Sequence, residues 1–207
     1  DRLMKIAAGE TPLPMREGAC IAVHVVGIPP IHDATSIDVV EALAEGHVMP
    51  LPFGRQSSAN QLCYNLDGCA TFVGNGDPLT PAYAQLFRTG AVEGVLSLDI
   101  DENNVPYLHG PTFEPQTIAA VRNYIDLLVD LQMGPPFAVF VSFAGMKGCK
   151  VRYAAPGGGF YQAGPLRDDT IALPEVVLID ASTDVRASLA PVFSAIWNAF
   201  GLRRGPH

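Results

Sequence analysis

The stretch YAQLFRTGAVEGVLSLDI, residues 83–100, decides the reading of this chain. Apolar and β-branched residues run on both sides of Thr89 and Gly90, so it reads as strand, tight turn, strand. Two unlike charges, Arg88 and Glu93, sit astride the turn in otherwise apolar surroundings. If Thr89 and Gly90 form a two-residue turn, Leu86 faces Glu93 across the ladder. Arg88 and Glu93 then become diagonal neighbours on one face, within reach of each other. A longer turn shifts the register by one residue and breaks that pairing.

Outward from this hairpin, the same grammar repeats. Residues Gln61 to Val73 read as a second hairpin, with Asn65-Leu66-Asp67-Gly68 as its turn. Asn75 to Pro78 form another turn leading into the first hairpin. Cys20 to Ile28 is apolar on both faces and is expected to be a central strand. Ser36 is placed to cap a short helix over residues 38–43, closed by Gly46. Ile118, Val121, Ile125 and Leu128 recur at helical spacing, so a long helix is expected from Pro115 to Met133. Residues Phe137 to Phe143 read as a buried strand, with Lys150 to Ala154 as its short partner. Leu173 to Ile179 is the last strand. A final helix spans about Asp184 to Phe200, capped by Ser182 or Thr183 and either kinked or divided at Pro191. Hairpins in the middle with two long helices later give an α+β class. Its sheet is mostly antiparallel and built from hairpins, with the two helices packed on it.

The chain has 207 residues, a length at which roughly 70% of the unfolded surface is buried. With 48% hydrophobic and 16% charged residues, it has the composition of an ordered domain. A formal net charge of -8 argues against nucleic-acid binding through a broad basic surface. Cys20, Cys63, Cys69 and Cys149 contain no CxxC pair and read as reduced thiols of a cytoplasmic protein. No apolar run is long enough to span a membrane, and no signal peptide opens the chain. Residues 1–14 read as a connector: a helix-forming run stopped by Gly9, Pro12 and Pro14, like the tail of a preceding domain. Residues 15–207 then form one α+β domain. The chain opens at Asp1 rather than Met, as a fragment would.

No catalytic, cofactor or metal signature stands out. His24 lies in the first strand, and His32 and Asp33 follow at no ligand spacing, so a hydrogen-bonded core histidine is the preferred reading. The Gly157-Gly158-Gly159 run lacks the lysine and helix of a phosphate loop and reads as a surface loop. Asp99, Asp101 and Glu102 read as a solvated strand end rather than a cation site. Arg88, Glu93 and Trp197 remain as candidates for ligand or partner binding. For the charged pair the alternatives are a cross-strand ion pair or an interface anchor; for Trp197, a core residue or an anchor.

Several segments in order resemble one family. They are IAAGETP (residues 6–12), the histidine-bearing strand at 20–26, and Asn65-x-Asp67-Gly68. The run from Tyr83 to Glu93, Leu173-Pro174-Glu175, and the segment Trp197 to Gly201 complete the set. The likeness is to the C-terminal part of bacterial proteins whose N-terminal domain is Schlafen-type, Alba-like and assigned to ATP binding, resembling transcriptional regulators. It implies a C-terminal domain of a two-domain cytoplasmic protein, with its own N-terminal domain as partner. It supplies no catalytic residue. The expected function is a non-catalytic accessory domain for regulation, sensing or partner binding. Two alternatives stay open: an enzyme with an unfamiliar hydrolase or nuclease site using Asp67, His24 or Glu93, and a homo-oligomerisation module.

Overall fold

The computed structural model describes residues 2–28, 37–43, 48–54, 60–73, 78–155 and 159–205. The expected Ser36 cap, the Gly46 stop, most of the Asn75–Pro78 turn and the Gly157–Gly158 pair lie outside them, as do His32 and Asp33.

Strand β1 (Cys20–Gly27) is the middle of the molecule. It pairs antiparallel with β5 (Ala91–Ser97) on one side and β8 (Phe137–Ala144) on the other. Its apolar character on both faces follows from that position, because each face is covered. From β5 the sheet continues through β4 (Ala82–Phe87), β3 (Gly68–Val73) and edge strand β2 (Asn60–Asn65). Beyond β8 lie two short pieces, β11 (Ile171–Ala172) and β12 (Val176–Leu178), both paired with β8. The expected strand from Leu173 to Ile179 is therefore shortened to Val176–Leu178, with Pro174, which has no donor for a ladder, in the gap before it. Every strand pair in this eight-stranded sheet is antiparallel.

A second sheet has the order β10 (Phe160–Ala163), β9 (Lys150–Ala154), β7 (Pro106–His109), β6 (Asp99–Ile100). Lys150 to Ala154 thus pairs with β7 and β10, not with β8 as expected. The turn Gly145 to Cys149 carries the chain out of the first sheet; Gly145 and Gly148 adopt positive φ there (69° and 84°), which glycine allows without strain.

Helix α3 (Gly110–Asp130) begins at Gly110 rather than Pro115. Pro111, at the first positions, meets the requirement for a residue without an N–H donor. Pro115 sits early enough to forfeit only the bond to the Pro111 carbonyl. The helix closes in a Schellman motif: Met133 N–H donates to Leu128 and Gln132 N–H to Val129, with Gln132 left-handed at φ 60°. Helix α4 (Val185–Ala199) is one continuous element with Pro191 inside it; its cap is Asp184, whose carboxylate accepts from Arg186 and Ala187 N–H. Short helix α2 (Val39–Ala42) is capped likewise by Asp38. No described helix is long and apolar enough to cross a membrane.

Alternation along the strands divides the sheet into two faces. Ile21, Val23, Val25, Val92, Leu86, Val139, Val141 and Phe143 point to the side of α3 and α4 and form the main core. Cys20, Ala22, Tyr83, Val95 and Ala144 point the other way. Ile6 of helix α1 (Arg2–Ala7) covers them, with Leu3, Leu13 and Met15 packed alongside. The segment read as a connector is therefore docked on the sheet.

Candidate functional site

The connection between β4 and β5 is three residues long, Arg88, Thr89 and Gly90, with Gly90 left-handed at φ 79°. The added residue shifts the register: Gln85, not Leu86, stands opposite Glu93. The ion pair expected between Arg88 and Glu93 is not formed. Arg88 lies in the loop, and its Nε donates to the Leu66 carbonyl at 3.2 Å, holding the β2–β3 turn to the β4–β5 turn.

Glu93 instead points to the α1 face. Its neighbours in the ladder are His24 of β1 and Gln85 of β4, and Tyr83 lies two residues along from Gln85 on the same face. Arg2 reaches down from α1. Four donors converge on the carboxylate. Arg2 Nε and Tyr83 Oη each lie at 2.6 Å, to Oε2 and Oε1 respectively. Arg2 Nη2 lies 2.7 Å from Oε1, and His24 Nε2 lies 2.8 Å from Oε2. An ionised carboxylate only accepts, so His24 Nε2 carries its proton. The remaining Arg2 nitrogen, Nη1, donates to the Glu10 carbonyl at 3.1 Å, and the guanidinium carbon stands 5.6 Å from the Phe87 ring centre.

Glu93 is wholly buried, whereas the side chain of Arg2 is 30% exposed and that of His24 15%. Burial alone pushes the Glu93 carboxyl up. The hydrogen bonds from Arg2, His24 and Tyr83 outweigh it and hold the group down at about 2. The same bond to Glu93 raises Arg2 above its ordinary value, against the opposing effect of its burial. Burial, reinforced by Glu93, raises the Tyr83 phenol. The cluster is thus a fixed ion pair of Arg2 and Glu93 with two further donors, His24 and Tyr83.

Gly94 presents no side chain to the opposite face. A Cβ there would collide with the Tyr124 hydroxyl, which passes beneath the strand to reach the Leu51 carbonyl at 3.1 Å. On the α1 face the polar row extends sideways: Gln85 and Asn65 exchange amide hydrogen bonds at 2.9 and 3.3 Å, and Asn65 also accepts the Asp67 and Gly68 N–H of its own turn.

Of the residues considered for hydrolytic chemistry, the fold brings His24 and Glu93 together and leaves Asp67 apart in the β2–β3 turn. Glu93 is anionic and fully engaged, which removes it as a proton acceptor near neutral pH. Among the described residues, neither His24 nor Glu93 lines a cavity of about 270 Å³ beside β5 and β7 or one of about 390 Å³ at the end of α1. Among the described residues, no group of three His, Cys, Asp or Glu side chains is placed to hold a metal ion. Asp101 closes its own turn by accepting from Val105 and Asn103 N–H, and pairs with Arg152 at 3.1 Å.

Trp197 is 1% exposed. Its ring meets Phe113 edge-on at 5.6 Å and its Nε1 donates to Glu114 at 2.6 Å, so it fastens α4 to α3. Sequence reasoning singled out Glu93 and read His24 as a hydrogen-bonded core histidine, but named none of His24, Arg2 and Tyr83 as partners of Glu93. Arg2 stands 91 residues away with no spacing to betray it. Comparison with family models, curated proteins and solved structures finds no match to this chain.

Proposed function

We propose that residues 15–207 are a non-catalytic accessory domain, serving regulation, sensing or partner binding. In this reading the domain is attached, through the connector 1–14, to a Schlafen-type nucleotide- or nucleic-acid-binding domain in a cytoplasmic protein. The observation that supports it is the state of Glu93. The charged centre of the domain is spent on holding Arg2 of the connector, so a change in the position of α1 is felt directly by three strands of the sheet. A buried charge used in this way fixes geometry; it is not free for acid–base work.

The test compares the full-length protein with and without residues 15–207 for nucleotide hydrolysis and nucleic-acid cleavage, alongside the isolated domain. Altered activity on deletion, with an inert isolated domain, is expected. Turnover by the isolated domain would overturn the reading.

A second reading, homo-oligomerisation, is favoured by the edge of the large sheet. Strand β2 carries exposed Leu62 and Tyr64, with Leu66 91% exposed in the following turn, and the run Gln61–Leu66 has no charge to discourage self-pairing. Light scattering at high concentration tests it; a strict monomer removes it.

A further inference from the structure

The face of β1, β4 and β5 holds more than a salt bridge. Glu93, Tyr83, His24 and Phe87 all belong to three adjacent strands whose register is fixed by their own ladders. Their backbone positions are set by ladder bonds among these strands, to which α1 contributes none. Glu93 offers both oxygens side by side, so two parallel N–H bonds form, at 2.6 and 2.7 Å. Tyr83 and His24 take the remaining lone pairs and set the direction of the carboxylate. Phe87 flanks the bound group at 5.6 Å. A planar, bidentate acceptor beside an aromatic ring suits a guanidinium and not an ammonium, which cannot make two parallel bonds.

The group that fills this position is carried by a short element. Helix α1 has six residues, of which Ile6 alone is buried. The Arg2 side chain remains 30% exposed, so its position opens to solvent. Its one bond to the connector is from Nη1 to the Glu10 carbonyl. An arginine arriving from elsewhere would forgo that bond and keep the rest.

We infer that this sheet face is a binding site for an arginine side chain, occupied in cis by Arg2 and available to an arginine of a partner polypeptide when α1 withdraws. The inference rests on the accessory-domain reading for its purpose but not for its chemistry. α1 then acts as a tethered competitor, and the strength of its docking sets the threshold a partner must exceed.

Ethylguanidinium, the free side-chain head, is the probe. In Arg2→Ala the thermal midpoint falls, and millimolar ethylguanidinium restores it along a saturating curve. Ethylammonium at equal concentration does not, and neither cation shifts the wild type in that way. In Arg2→Ala/Glu93→Gln the saturable shift is lost. If Arg2→Ala alone does not fold, ethylguanidinium added during refolding recovers the folded form, whereas ethylammonium does not. The site is disproved by the absence of a saturable shift or recovery, by an equal effect of ethylammonium, or by a shift that persists without Glu93. Because the readout is binding, catalysis found in this domain would remove the accessory reading and leave the site standing. A flat titration would do the reverse.

Discussion

Removing Arg2 and removing Glu93 should have unequal costs. Arg2→Ala leaves a wholly buried carboxylate with two of its donors and without the guanidinium. Breaking a buried pair from one side costs about 3–5 kcal/mol. Retained bonds from His24 and Tyr83 lower this to about 2–3 kcal/mol. Glu93→Gln preserves shape and removes the buried charge, while Arg2, already part-exposed, turns to water. That change should cost only about 1–2 kcal/mol. Once Glu93 is Gln, removing Arg2 should matter little, so the double mutant resembles Glu93→Gln and the coupling is about 2 kcal/mol. Urea denaturation followed by circular dichroism, with unchanged slopes, measures all three variants. Additive effects, or an Arg2→Ala cost below that of Glu93→Gln, would refute the reasoning.

Three further outcomes are expected. Glu93 has a folded-state pKa below its unfolded value, so its stabilisation is complete above about pH 4.5 and is lost as pH falls toward about 2; acid titrations of wild type and Glu93→Gln that superpose would contradict this. Arg88→Ala should change stability by less than about 0.5 kcal/mol, whereas Trp197→Ala should cost about 3–5 kcal/mol; comparable thermal shifts in the two would show that Trp197 is not a core anchor. Iodoacetamide at pH 7.5 should modify Cys63 alone, because Cys20, Cys69 and Cys149 are buried and burial pushes their thiols up to about 11, 11 and 12; mass spectrometry finding early label on any of those three would count against the packing described.

What the sequence revealed was local. The Asn65–Gly68 turn, the central character of β1 and the helical stripe through Val121, Ile125 and Leu128 each depend on neighbours close along the chain, and each is found in the fold. Registers and partners across the chain were less legible. One residue in the Arg88–Gly90 loop separates a surface pair from a buried Glu93 facing α1, and turn length is not written in composition. Lys150 to Ala154 has the residues of a strand, but nothing in them says which sheet receives it. The α3 start went astray for a different reason: two prolines, Pro111 and Pro115, both satisfy the first-turn rule. Glu93 was noticed because a charge in an apolar strand demands a partner; that partner came from the other end of the chain.

The central place of β1 has a consequence for how the molecule forms. Its ladder partners are distant: His24 meets a residue 69 positions later in β5, and Cys20 aligns with Ala144 of β8. During synthesis β1 emerges early and must wait, apolar on both faces, until most of the chain has followed. Loop closure of this length precedes any reward from pairing, so folding is expected to be slow, with Arg2 seated only after β1, β4 and β5 have met. The segment made just before β1 would thus be among the last to find its place.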